Sequence, residues 1–398
     1  MENTYKRGSA SNILPLKSSA LEAAEAASKM AEKLKTSSTD NVTFDNEELQ
    51  RAIQSLQNCA GSLGDCVDWE ALHQLYTASA HLSHKDWGRT ERAAEQLANI
   101  LGNPDEAVFR KTFQRVLEDG NYQGAVDAAD KRSLVSKPWV VLVSGLNGIR
   151  KTSSIYQPWF QEVLSQALDA RYPDEGFTEL NKKTDLPDGS NSYFRQLDYM
   201  VATVANEDFR DLYAIDDVSL YAQVKDAIFS RYRTIAEMLG ILLVKHSKQK
   251  GINIMLETSG RDVAMYEYID HCFPDDQYHK LVVNFCINDI SFAEQSVDRR
   301  MLKEMEDGKA ALDSDTGALS LIKANAGGPY GSAVLKGVEA ASKKVWEEVV
   351  AGTAGGGEVG KSWYKASLCI DGHATDDWTV RAADSVSSES FKFGPPRS

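Results

Sequence analysis

A run of β-branched and apolar residues, Trp139-Val140-Val141-Leu142-Val143, passes into a Gly-rich turn and then into helical text reaching about Ala170. A continuous apolar strand is buried on both faces, which places it in a parallel sheet covered by helices. The turn between them reads Gly145-Leu146-Asn147-Gly148-Ile149-Arg150-Lys151-Thr152. Between a buried strand and a helix, such a turn aims backbone N–H groups and the helix amino terminus at one point, where phosphate is bound. The expected nucleotide-binding residues are therefore Gly145, Asn147, Gly148, Ile149, Arg150, Lys151, Thr152 and Ser153. Lys151 would reach the terminal phosphates and Thr152 would hold Mg²⁺. Arg150 stands where Gly is usual, and either adds a cation to the site or obstructs it. A literal match to the GxxxxGK[ST] pattern, Gly355 to Ser362, is rejected on context, because a helix precedes it and strand-like text follows.

Further apolar runs at Ile252–Leu256 and Leu281–Ile287, and strands expected at Trp363–Ile370 and Trp378–Ala382, extend the sheet. Between the loop and the Ile252 run lies a long helix over Val218–Lys248, stopped by Gly251. The text before residue 136 is different. After a flexible arm at 1–15, residues 16–135 read as an all-α domain, with a capping box at Asp45 and Glu48 and a helix opened by Asp86 and closed by Gly102. Asn103-Pro104-Asp105-Glu106 is expected to start the next helix. The fold class is thus α/β: a parallel-sheet domain carrying the phosphate-binding loop over 136–385, preceded by an all-α helical domain and followed by a loose tail at 386–398.

Lys+Arg number 44 against 58 Asp+Glu, a formal charge of -14, and no basic run exceeds two residues. Nucleic acid and anionic membrane are excluded as partners, since both need clustered cations. No apolar stretch is long enough to span a bilayer and the amino terminus lacks a secretory h-region, so a cytoplasmic protein is expected. Five cysteines without a CxxC indicate neither a disulfide framework nor a zinc ribbon. Cys59, Cys66 and His73 recur every seven residues, but Gly61 and Gly64 interrupt the helix that would align them as metal ligands. Arg195 and the Lys182-Lys183 pair are assigned to an exposed loop.

Two segments carry a resemblance. Lys250-Gly251-Ile252-Asn253-Ile254-Met255-Leu256-Glu257-Thr258-Ser259-Gly260-Arg261 and Leu281-Val282-Val283-Asn284-Phe285 through Arg299-Arg300, in this order after the loop, resemble the zeta-toxin family of P-loop kinases, among them UDP-N-acetylglucosamine kinase-like proteins. The resemblance covers roughly residues 137–385. It implies ATP or GTP with Mg²⁺ as cofactors, and a small-molecule acceptor such as a nucleotide sugar. It also implies catalytic roles for Asp198, Lys151 and Arg299 or Arg300, with Asp198 accepting the acceptor's proton; against this, Asp198 could be a surface acid, with Asp216 or Asp217 as rival bases. Glu257, Thr258, Ser259 and Arg261 would bind substrate. A second lid arginine is absent: the chain reads Lys323-Ala324-Asn325-Ala326-Gly327-Gly328-Pro329, with Lys323 as a candidate replacement. Two functions follow: a phosphotransferase, or a degenerate kinase acting as a scaffold whose helical part binds a protein partner or itself.

Overall fold

A computed structural model describes residues 44–133, 136–179, 182, 185–314, 317–329, 331–373, 377–385 and 389–394. The expected arm at 1–15, the first part of the expected all-α domain and most of the expected tail lie outside these residues. Among the described residues six α-helices precede the first strand: α1 (Asn46–Ala60), α2 (Trp69–Ser79), α3 (Trp87–Leu101), α4 (Ala107–Thr112), α5 (Gln114–Asp119) and α6 (Tyr122–Lys131). The strand β1 (Trp139–Ser144) is followed by α7 (Lys151–Ile155), α8 (Phe160–Arg171) and β2 (Ser192–Arg195). Then come α9 (Leu197–Val204), α10 (Asn206–Tyr213), the long α11 (Val218–Gln249), β3 (Asn253–Thr258), α12 (Ala264–Cys272) and β4 (His279–Ile287). The chain continues through α13 (Ile290–Asp313), α14 (Ala318–Ala324), α15 (Leu335–Ala351), β5 (Tyr364–Gly372), β6 (Trp378–Ala382) and β7 (Phe391–Lys392).

Among the described residues the fold is mixed α/β around one seven-stranded sheet in the order β2-β3-β1-β4-β5-β6-β7. Strands β2 through β5 and the central β1 run parallel, and β6 and β7 close the edge antiparallel. The sequence's continuous apolar run is explained by β1, in which every residue is buried. Its side chains alternate between two cores: Val140 and Leu142 join one apolar cluster, Val141 and Val143 the other. The second cluster is filled by α8 through Phe160, Val163, Leu164 and Leu168.

The first cluster crosses residue 135. Leu56, Leu97, Phe109 and Tyr122 from the early helices share it with Tyr193, Ile235, Leu239 and Leu256. Polar contacts follow the same seam: Thr234 donates to the Leu82 carbonyl at 2.7 Å, and Arg51 pairs with Asp208 at 3.1 Å and Asp211 at 2.6 Å.

Local signals were followed in most places. Asp45 and Glu48 form the reciprocal capping box, and Asp86 and Gly102 bracket α3. Two helix limits differ from expectation. Pro104 lies in a turn held by the Glu106 carboxylate, which accepts from Asn103, and α4 begins only at Ala107. The helix expected to run to Ala170 breaks around Pro158, whose ring removes a backbone donor, so α7 and α8 are separate. Phe391–Lys392, within the expected tail, pairs with β6.

Candidate active site

In sheet order the strands adjoining β1 are β3 on one side and β4 on the other, so the direction of winding reverses there. Ligands of open α/β sheets bind outside the carboxyl ends of strands at such a point. A cleft of about 850 Å³ opens there, and it is lined by Asn147, Gly148, Arg150, Lys151, Thr152 and Ser153 from the loop and the start of α7. Gly148 has φ 84°, and a Cβ on it would sit 2.7 Å from the Ala293 carbonyl oxygen, so the loop threads tightly past α13. The loop's other two predicted members do not face the cleft as side chains: Ile149 is buried in the core, and Gly145 contributes its carbonyl.

Arg150 adopts the left-handed conformation, φ 61° and ψ 26°, which explains why Gly is usual at this position. Its guanidinium stacks over Trp378 at 4.7 Å and Phe393 at 5.6 Å from the ring centres. The side chain therefore leans on β6 and the segment after β7 while still lining the cleft.

Lys151 is only 3% exposed. Its ammonium donates to the carbonyls of Gly145 at 2.7 Å and Leu146 at 2.6 Å, and pairs with Glu257 Oε1 at 3.0 Å. Thr152 Oγ1 donates to Glu257 Oε2 at 3.1 Å. One carboxylate at the end of β3 thus latches the start of α7. Thr258, Ser259 and Arg261 line the same rim, and Thr258 Oγ1 accepts from the Gly260 N–H at 3.1 Å to fix the turn.

Asp198, in the first turn of α9, faces the cleft. Burial, and next the neighbouring Glu257, push its carboxyl up to about 6, against the opposing pull of Lys225 and Arg300. The rival bases are elsewhere: Asp217 caps α11 through the Leu220 N–H at 2.7 Å, and Asp216 pairs with Lys309. Of the two arginines, Arg300 lines the cleft and Arg299 is exposed outside it. Lys323 is exposed and outside it as well, whereas Ala326, Gly327, Gly328 and Pro329 form part of the wall.

Arg195 corrects an expectation. It ends β2 at 4% exposure, paired with Glu237 at 3.1 Å and donating to Tyr268 Oη at 3.0 Å. The sequence reading also missed Lys225, Glu304 and Arg233, along with His84, Lys85 and Trp87, by which the early helices reach the cleft. The Gly355–Ser362 match forms a short 3-10 turn outside the cleft, with Lys361 exposed. Among the described residues no group of three or more His, Cys, Asp or Glu could hold a metal ion. A cation here would take phosphate oxygens together with Thr152 Oγ1 and Glu257, the sparse oxygen set that suits Mg²⁺.

No protein-family model matches the chain, and no curated protein matches it. Among solved structures, one from the PezAT chromosomal toxin-antitoxin system of Streptococcus pneumoniae superposes with a TM-score of 0.33 at 10% identity, over 67% of this chain and 79% of that chain. Among the described residues no helix is long and apolar enough to cross a membrane.

Proposed function

We propose that the chain is a phosphotransferase that moves the γ-phosphate of ATP or GTP to a hydroxyl of a small metabolite. The observation that carries this reading is one cleft at the end of β1 that gathers the loop's Lys151 and Thr152, Asp198, Glu257 and Arg300. A carboxylate titrating near 6 is ionised at neutral pH yet basic enough to take a proton from a hydroxyl as it attacks. In the step, the acceptor oxygen bonds to the γ-phosphorus, the bond to the β-phosphate oxygen breaks, and the hydroxyl proton passes to Asp198. Lys151 and Arg300 neutralise charge on the phosphoryl oxygens, and the loop's backbone N–H groups orient them. Mg²⁺, held by Thr152 with Glu257 beside it, would neutralise the phosphates when bound. Lys151 would exchange its contact with Glu257 for a phosphate oxygen. A nucleotide sugar is the acceptor class that the sequence resemblance implies.

The scaffold reading draws on Arg150 and on the position of Lys323. One experiment separates the two. Millimolar Mg²⁺·ATP or Mg²⁺·GTP should raise the Tm of the wild type by several degrees and leave Lys151→Ala unchanged. No shift in the wild type would overturn the phosphotransferase.

A further inference from the structure

Beneath Asp198 lies a buried polar network that the proposed chemistry has not used. Glu304, one helical turn after Arg300 on α13, is 1% exposed. Its Oε1 accepts from Tyr221 Oη at 2.6 Å, and its Oε2 accepts from Lys225 Nζ at 2.7 Å and from the Ala326 N–H at 2.8 Å. One carboxylate therefore joins α11, α13 and the 325–329 segment. The same segment bonds the other way: Asn325 Nδ2 donates to the Asp198 carbonyl at 3.0 Å. Gly327 passes so close to Arg300 that a Cβ on it would lie 2.8 Å from the guanidinium. Lys225, 2% exposed, is desolvated at a site where a lone ammonium would be costly, and Glu304 compensates it.

We propose that Lys225 and Glu304 are positioning residues. Glu304 fixes the 325–329 segment and Arg300 relative to Asp198, and Lys225 supplies from below a positive charge that the 325–329 segment does not carry. The catalytic importance of the pair rests on the phosphotransferase reading; its electrostatic hold on Asp198 does not. The charged groups acting on Asp198 are Glu257 from β3, Lys225 from α11, and Arg300 and Glu304 from α13, with Tyr199 beside it on α9. Of these, Lys225 and Arg300 favour the ionised carboxylate, and Glu257 and Glu304 oppose it.

The test uses opposite signs. Because folding raises the Asp198 pKa, its contribution to stability is greatest below the unfolded value of 3.8 and is lost as pH rises through about 6. The Tm of Asp198→Asn minus that of the wild type should accordingly grow between about pH 4 and 6 and level off above. Lys225→Met should move that upper limit up by about half a pH unit or more, and Glu304→Gln should move it down, each compared with its own Asp198→Asn double variant. Where Mg²⁺·ATP turnover is measurable, the acidic limb of kcat should move the same way. Lys225→Met should also lower kcat about tenfold or more at pH 7 with KM for ATP within about twofold. A purely structural role predicts limbs that stay put or move together, and either result overturns the proposal. If Lys225→Met does not fold, the downward shift in Glu304→Gln decides alone. Turnover that is unaffected by Asp198→Asn would count against the phosphotransferase reading, while the Tm comparison would still decide the coupling.

Discussion

Arg150 shows how one residue can break a local rule without destroying the structure around it. A non-glycine residue in the left-handed region costs roughly 1 kcal/mol, and a cation stacked on aromatic faces returns a similar amount. Arg150→Gly should therefore be close to neutral in stability, losing the stack over Trp378 and Phe393 but also the strain. Arg150→Ala keeps the strain and loses the stack, and should be destabilised by about 1 kcal/mol in urea denaturation. The order Gly above Ala inverts the usual preference; Ala equal to or above Gly would show that the loop relaxes on substitution. The sequence exposed this position as irregular, because the neighbouring glycines and Lys151 fixed what belonged there. It could not reveal where the guanidinium goes, since Trp378 and Phe393 come from a sheet edge more than two hundred residues away. Arg195 was misread for a related reason. The polar text around it suggested a loop, while its partners Glu237 and Tyr268 lie on distant helices.

At the level of elements, strands and caps were legible because their signals are local: burial on both faces of β1, the Asp45 and Glu48 box, the Asp86 cap. The charges of the buried network carried a signal too, though a subtler one. Lys225 lies within the stripe Tyr221, Val224, Ile228 on α11, and Glu304 within Val297, Met301, Met305 on α13, so each is a charge where helical periodicity calls for an apolar residue. Such a residue must be paired, and its partner cannot be read from its own helix. Glu257 illustrates how two elements share one group. It ends β3 and holds the first two residues of α7, so its negative charge sits where the phosphates of a nucleotide would approach Lys151. Glu257→Gln should tighten binding of nucleotide in the absence of Mg²⁺ by about tenfold, or ~1.4 kcal/mol, by removing like-charge repulsion. The same change should lower the Asp198 pKa, since Glu257 is the largest electrostatic contribution raising it, and should reduce turnover with Mg²⁺. Isothermal titration of Mg²⁺-free ATP checks the first outcome; unchanged or weaker affinity would remove Glu257 from the phosphate site.

For the whole molecule, the issue is whether residues 46–131 stand apart from the sheet they precede. A change from helical to strand grammar near residue 135 is a real feature of the sequence, yet periodicity says nothing about which helices later pack together. In three dimensions α3 lies against α11, with Lys245 paired to Glu91 at 2.9 Å and Glu95 at 2.5 Å, and the apolar cluster continues from Leu97 to Ile235 and Leu239. Taking the early helices away would expose the face of α11 that packs on α3 and leave Asp208 without the Arg51 contact that helps to satisfy it. His84, Lys85 and Trp87 would be lost from the cleft wall as well. The chain is therefore expected to open as one cooperative unit. In hydrogen exchange followed peptide by peptide through increasing urea, the slowest amides of α1 and α3 should merge onto the same opening isotherm as those of β1 and β4. Opening of α3 more than about 2 kcal/mol below β1 would instead make the early helices an independent unit, free to detach from the cleft and engage a partner.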